Sequence, residues 1–348
     1  MGVAARSVPG SEDELDDALS TPRDATIEAL RRSPGDIVVL GAGGKMGPTL
    51  ARMAARAAQA ADGARRRRVV AVSRFTSPQV RRDLERHGVE TVPCDLLDES
   101  AVAHLPDAPN VIFMAGQKFG TSDAPARTWM MNVVVPAYCA RRYANARIVA
   151  FSTGNVYPLT PVASGGATER TEPAPIGEYA ASCLGRERVF EHAAATHGTR
   201  VAIVRLNYAI DLRYGVLTDL AVRVARREPV PVAMGHVNVI WQGDANRAAL
   251  ELLPLASTPP FVVNVTGSET LSVRDLAARL GTRLGVEPRY EGREAADALL
   301  SNTARQRDTL GPPEMPIDTL LDWVAEWIRR GQPLLGKPTH FETRDGSY

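Results

Sequence analysis

The stretch Ile37-Val38-Val39-Leu40-Gly41-Ala42-Gly43-Gly44-Lys45-Met46-Gly47 decides how the rest of the chain is read. Four β-branched or leucine residues run into a glycine cluster. An amphipathic pattern follows, in which Met46, Leu50, Met53, Ala54 and Ala57 share one helical face. Gly41, Gly44 and Gly47 are spaced three apart, and each has its own physical reason in a strand–turn–helix setting. Gly41 permits a tight turn, Gly44 lets a phosphate reach the backbone, and Gly47 lets the helix lie close to the strand. Pro48 falls in the first helical turn, where a missing N–H costs nothing. The helix N-terminus then turns N–H groups and a positive dipole end toward a pyrophosphate. The stretch predicts a dinucleotide site built from Gly41, Gly43, Gly44, Met46 and Gly47, with Lys45 contacting the pyrophosphate.

Outward from this stretch, apolar strand patterns at 37–40, 69–73, 90–93, 111–114, 147–152, 200–205 and 261–266 alternate with helical patterns. The helices fall at about 47–60, 78–87, 126–144 and 179–196. This alternation predicts an α/β fold, a doubly wound (Rossmann) parallel sheet covered on both faces, with ligands at the carboxyl ends of the strands. Past residue 206 the pattern loosens into a helix at 216–228, a helix opened by a Ser272–Asp275 capping box and running through Leu280, and a last helix at 318–330. These pieces read as a smaller C-terminal substrate-binding lobe. The expected division is an N-terminal extension (1–34), an NAD(P)-binding domain (35–206 with 236–267), a substrate-binding lobe (207–235 with 268–335) and a tail (336–348). Residues 1–20 read as a mobile acidic lead-in. A short helix follows, capped by Thr21-Pro22 and ended by Pro34-Gly35, packing on the outside.

The 348 residues carry a net charge of +1, so no global field steers the chain to nucleic acid. The run Arg65–Arg68 reads as a solvated loop. Cys94, Cys139 and Cys183 are scattered and odd in number, which predicts a reducing compartment, the cytoplasm, with neither a disulfide framework nor a zinc site. The six histidines form no metal pattern, and no metal is expected. The start is acidic at Glu12–Asp17 without an apolar run, so no secretory signal is expected. No stretch approaches 18 consecutive apolar residues, and no membrane partner is expected.

The second strand ends in Ser73-Arg74. A carboxylate at Ser73 would hold a ribose 2′-hydroxyl and favour NAD. A small hydroxyl followed by arginine suits a 2′-phosphate instead, so NADP is favoured over NAD. Asp95 and Leu96 follow the third strand, within reach of an adenine, and Ala115 and Gly116 follow the fourth.

Ser152-Thr153-Gly154-Asn155-Val156-Tyr157 follows the fifth strand, and Tyr179 opens a long helix some twenty residues later. With the glycine loop, Ala115-Gly116 and Asn132, these residues resemble the extended short-chain dehydrogenase/reductase family of NAD-dependent epimerases and dehydratases, over roughly residues 36–330. The resemblance implies that Thr153 is the catalytic Ser/Thr, that Tyr179 is the catalytic tyrosine, that it also borders the cofactor, and that Asn132 supports the active-site helix through water. It also implies a homodimer through the helices at 126–144 and 179–196.

The chain departs from that pattern. The family places a lysine one turn after the tyrosine, where its ammonium favours the phenolate; here that position is Cys183. Three readings stay open: Lys118 or Arg186 supplies the cation in its place, Tyr179 acts only as a hydrogen-bond donor or general acid, or the fold binds cofactor without turnover. Gly154-Asn155 replaces the acidic pair of the dehydratases, which argues against 4,6-dehydration. Val237 stands where nucleotide-sugar enzymes carry a diphosphate-gripping arginine, if Asp244 marks that motif. Asn155, Asn207 and Arg213 are then the expected substrate contacts, with Arg205 and Asn238 as further candidates for a smaller polar or carboxylate-bearing substrate. The expected function is NAD(P)-dependent hydride transfer on a sugar, sugar acid or related polyol. The alternative is a non-catalytic NAD(P)-binding or redox-sensing protein.

Overall fold

The computed structural model describes residues 7–63, 67–118, 120, 123–337 and 339–347. Seven strands form one parallel sheet: β1 Ile37–Leu40, β2 Val69–Ser73, β3 Glu90–Pro93, β4 Asn110–Phe113, β5 Arg147–Thr153, β6 Arg200–Leu206 and β7 Phe261–Val265. Their spatial order is β3-β2-β1-β4-β5-β6-β7, so the winding reverses between β1 and β4. Leu40 pairs with both Val72 and Phe113. This register brings Gly41, Ser73 and Met114–Ala115 to one edge, at the switch point where such sheets bind ligands.

All four residues of β1 are fully buried, which is why the strand reads as an unbroken apolar run. Ile37 and Val39 face a core shared with helices α2 (Asp24–Arg31), α3 (Gly47–Asp62) and α10 (Gln242–Glu251). Val38 and Leu40 face the opposite core, with α5 (Glu99–Ala103), α7 (Val135–Arg142) and α8 (Gly177–His197). A third core joins α9 (Val216–Ala225), α11 (Val273–Leu284) and α13 (Ile317–Arg329) around Trp241, Trp323 and Trp327.

Three expectations need correction. The lead-in is neither mobile nor peripheral across its described part: Glu12–Leu19 is helix α1, capped by the Ser11 hydroxyl. Leu15 and Leu19, four apart, place both side chains in the third core, and Asp17 accepts from Arg52 at 2.6 Å. The pattern at 126–144 is α6 (Pro125–Trp129), a π turn (Met130–Val134) and then α7. Pro136 lacks the N–H that an unbroken helix would donate there, which accounts for the widened turn. Helix α10 escaped the pattern because all ten of its residues are buried, leaving no polar face to give a period.

Within Arg65–Arg68, Arg65 and Arg66 lie outside the described residues; Arg67 pairs with Asp62 and Arg68 with Asp36. The three cysteines are free and buried. Among the described residues no helix is long and apolar enough to cross a membrane.

Candidate active site

Two adjoining spaces open at the carboxyl ends of the strands. The first is a groove of about 240 Å³ lined by Gly41, Gly43, Gly44, Ser73, Arg74, Asp95, Leu96, Ala115 and Gly116. Its glycines are dictated by close approach. Gly41 has φ 89°, and a Cβ there would lie 2.6 Å from the Ala115 nitrogen. A Cβ on Gly43 would lie 2.3 Å from Ser73 Oγ, and one on Gly47 2.4 Å from the Ala42 carbonyl oxygen. At Gly44 a Cβ would meet the Gly41 carbonyl oxygen at 3.4 Å, ordinary contact, so its glycine is not demanded by the protein's own packing and instead leaves the backbone approachable. With α3 beginning at Gly47, the groove fits a dinucleotide pyrophosphate. Arg74 is exposed at the mouth, with no ion-pair partner among the described residues. Asp95 is exposed beside it, and its side chain accepts from the Leu97 amide at 3.1 Å.

The second space is a cavity of about 140 Å³, whose polar lining includes Thr153, Asn155, Tyr179, Asn207, Lys45 and Lys118. Thr153 ends β5, and its hydroxyl accepts from the Asn155 amide at 3.2 Å across a tight 3₁₀ turn. Tyr179 sits in the first turn of α8, which opens on Gly177 at φ 80°. Cys183 lies one turn on, fully buried. Burial pushes its thiol pKa up, against the opposing pull of Arg186 and a side-chain hydrogen bond with Tyr179. It is a packing thiol rather than a cation.

Lysines reach the cavity from two other directions. Lys118, from the loop after β4, donates to the Thr339 carbonyl at 3.3 Å and lies 5.9 Å from the Tyr179 ring centroid. Lys45 donates to the Ala209 carbonyl at 3.2 Å and lies 3.5 Å from the Tyr214 ring centroid. Both side chains keep partial exposure, yet enough protein encloses each ammonium to lower its pKa, to about 8 for Lys118 and about 7 for Lys45. Desolvation is the leading cause in both. Lys45 is expected at the pyrophosphate; in the structure its side chain lines the inner cavity and not the glycine groove. Met46 likewise packs into the core beside this cavity and does not line the groove.

Asn132 is fully buried on the π turn and needs no water to brace α8. It donates directly to Ser182 Oγ at 2.9 Å and to the Gln117 carbonyl at 3.0 Å, and accepts from the Gln117 amide and from Arg186. Arg186 is thereby engaged, with a second bond to the Phe151 carbonyl at 2.8 Å. Gly116 makes room for this pair, since a Cβ there would lie 2.4 Å from Arg186 Nη2.

Other expected substrate contacts are spent elsewhere. Arg213 pairs with Asp16 at 2.8 Å and Asp211 at 3.2 Å, tying α1 to the lobe, and does not line the cavity. Arg205 is buried against Glu187 at 2.7 Å and bonds the Tyr157 hydroxyl. Asn238 holds the Glu269 carbonyl and the Ser301 amide. Asn207 does line the cavity, while its amide group donates to the Leu299 carbonyl at 3.3 Å. Val237 is fully buried, paired with Leu271 in a short strand. Tyr208, Tyr214 and Thr339 also line the cavity, unannounced by any sequence pattern. Thr339 is anchored by two bonds to Asp219 Oδ2, at 2.8 and 2.6 Å.

A glycine-lined groove at the switch point, with a cavity holding a threonine and a tyrosine close by, defines a dinucleotide-dependent enzyme of the doubly wound class. The family model described as "NAD dependent epimerase/dehydratase family" matches residues 37–233, and the chain belongs to that family. No curated protein matches it at a significant level. Among solved structures it is similar to UDP-glucose 4-epimerase from Thermotoga maritima, with UDP-glucose, at 20% identity and a TM-score of 0.67, covering 85% of this chain and 99% of that one. It is also similar to DesIV, the dTDP-glucose 4,6-dehydratase from Streptomyces venezuelae, at 19% identity and 0.71, covering 85% and 97%. A third is UDP-glucose 4-epimerase from Thermus thermophilus in complex with NAD, at 19% and 0.68, covering 84% and 99%. At such identities these likenesses speak for the fold.

Proposed function

We propose that this enzyme carries out reversible hydride transfer on a sugar, sugar acid or related polyol, with NADP preferred over NAD. The observation that carries the reading is the meeting of Thr153, Tyr179 and Lys118 on one cavity beside the glycine groove. Residues 35–206 with 236–267 hold the dinucleotide, and 207–235 with 268–335 shape the substrate side. The nicotinamide, when bound, supplies hydride acceptance and donation.

The chain's own groups do the rest. Gly41, Gly43 and Gly44 admit the pyrophosphate, Ser73 and Arg74 receive the 2′-phosphate, and Asp95 and Leu96 border the adenine. Thr153 hydrogen-bonds the reacting hydroxyl, and Tyr179 takes or returns its proton. A phenol is a weak base at neutral pH, so a nearby positive charge has to favour the phenolate. Lys118 takes that part in place of the lysine absent at Cys183. Asn132 holds α8, and so Tyr179, in position; Asn155 and Asn207 face the substrate. Small buried thiols suit a cytoplasmic setting. Exposed Trp129 and Met130, 41% and 39% accessible beside α8, support a homodimer across this face.

The test is Tyr179→Phe, assayed against a panel of sugars, sugar acids and polyols by NADPH fluorescence. Turnover of the responding substrate should fall by about 10²–10⁴-fold, with NADPH binding retained. Unchanged turnover overturns the assignment.

A further inference from the structure

Lys45 is the least expected group in the cavity. A glycine-loop lysine has a pyrophosphate within its natural reach, yet this one turns its ammonium to the Ala209 carbonyl and the Tyr214 ring on the substrate side. Among the described residues no carboxylate pairs with it. The two acids that act on its charge are engaged elsewhere: Asp211 accepts from Arg213, and Asp219 accepts from Thr339. An enclosed ammonium holding one carbonyl and one ring is electrostatically incomplete, and an anion entering the cavity would complete it.

Size and charge narrow that anion. The cavity measures about 140 Å³, room for a small molecule. If Asp244 marks the family's motif, the position of its diphosphate-gripping arginine is a buried valine, Val237. A phosphate carries between one and two negative charges at neutral pH. Asp211 and Asp219 oppose any anion beside Lys45, and they oppose the single charge of a carboxylate less than the larger charge of a phosphate. Lys118 stands on the Tyr179 side of the same cavity, so the carboxylate end and the reacting hydroxyl end have separate cations.

We propose that Lys45 is the specificity-determining receptor for the carboxylate of a small hydroxy acid of the sugar-acid type. This rests on the reading of the site given above and names its substrate class. The test uses full-length protein saturated with NADPH and measures binding by calorimetry for matched pairs: glucuronate with glucose, galacturonate with galactose, gluconate with glucitol. Glucose 6-phosphate and UDP-glucose complete the set.

At least one acid should bind about tenfold or more tightly than its neutral partner and than the phosphorylated ligands. Lys45→Met should erase that preference, Lys45→Arg should keep part of it, and neither should change NADPH affinity. No acid preferred over its neutral partner overturns the proposal, as does tighter binding of glucose 6-phosphate or UDP-glucose. A Lys45→Met variant that loses NADPH affinity and keeps acid preference also overturns it, returning Lys45 to the cofactor. Failure to bind NADPH at all in the parent protein would instead overturn the reading of the site itself.

Discussion

At Tyr179 the question is which cation makes a phenol useful at neutral pH. Cys183 is excluded by its burial and its raised thiol pKa. Lys118 has the position, and enclosure lowers it from the ordinary value of 10.5 to about 8. Its charge is therefore present below about 8 and lost above, so kcat/KM should fall as the pH rises through that value. The unfolded chain keeps this lysine protonated to about 10.4 and so binds more protons between the two values. The fold gains stability from this group over the same window, and a falling rate there is not unfolding. Lys118→Met should lower the rate by about 10²-fold and abolish that alkaline limb; a variant with the parent's pH profile would show that another group titrates. Arg74 makes the second case. Arg74→Ala should weaken NADPH by about tenfold and leave NADH unchanged, the loss of one charge-assisted contact to a phosphate. Equal effects on both cofactors, measured by fluorescence titration, would remove the case for a 2′-phosphate site.

The elements themselves were legible where a local physical cause fixes them. β1 and α3 follow from an apolar run, a glycine spacing and an amphipathic face, and they lie at Ile37–Leu40 and Gly47–Asp62. Elements without a face were not legible. Helix α10 is buried all round, so its sequence carries no period. Helix α1 is short and acidic, and looks solvated until Leu15 and Leu19 are seen to be buried in the third core. Leu15→Ala should therefore cost about 2–5 kcal/mol of stability, read from urea unfolding, because it empties a fully buried site. A cost under about 0.5 kcal/mol, as at a surface position, would return the extension to the periphery.

Across the whole molecule, the sheet aligns Gly41, Ser73 and Ala115, and the loops beyond it decide the chemistry. The exposed apolar pair Trp129 and Met130 borders α8 on the face proposed for the homodimer. Met130→Asp should shift the mass measured by light scattering from two chains to one, since a desolvated carboxylate opposes apolar contact; a parent protein that is already monomeric would dismiss the interface.

The cofactor groove was written into the chain, because strand, turn and helix N-terminus are neighbours in sequence and each glycine answers to atoms a few residues or one strand away. Thr153 and Tyr179, proposed as the catalytic pair, were legible through the family resemblance, one at the end of a strand and the other at the start of a helix. The cations were legible only in part: the sequence offered Lys118 or Arg186 and assigned Lys45 to the pyrophosphate, while the directions of their side chains were not readable. Lys45 leaves its own loop for the Ala209 carbonyl, 164 residues on, and Lys118 is held by Thr339, 221 residues on. Arg213 and Arg186, equally plausible as site residues by position, are drawn off by Asp16 and Asn132. Where a long charged side chain points depends on which distant acceptor packing brings within about 3 Å, and only the folded chain settles that.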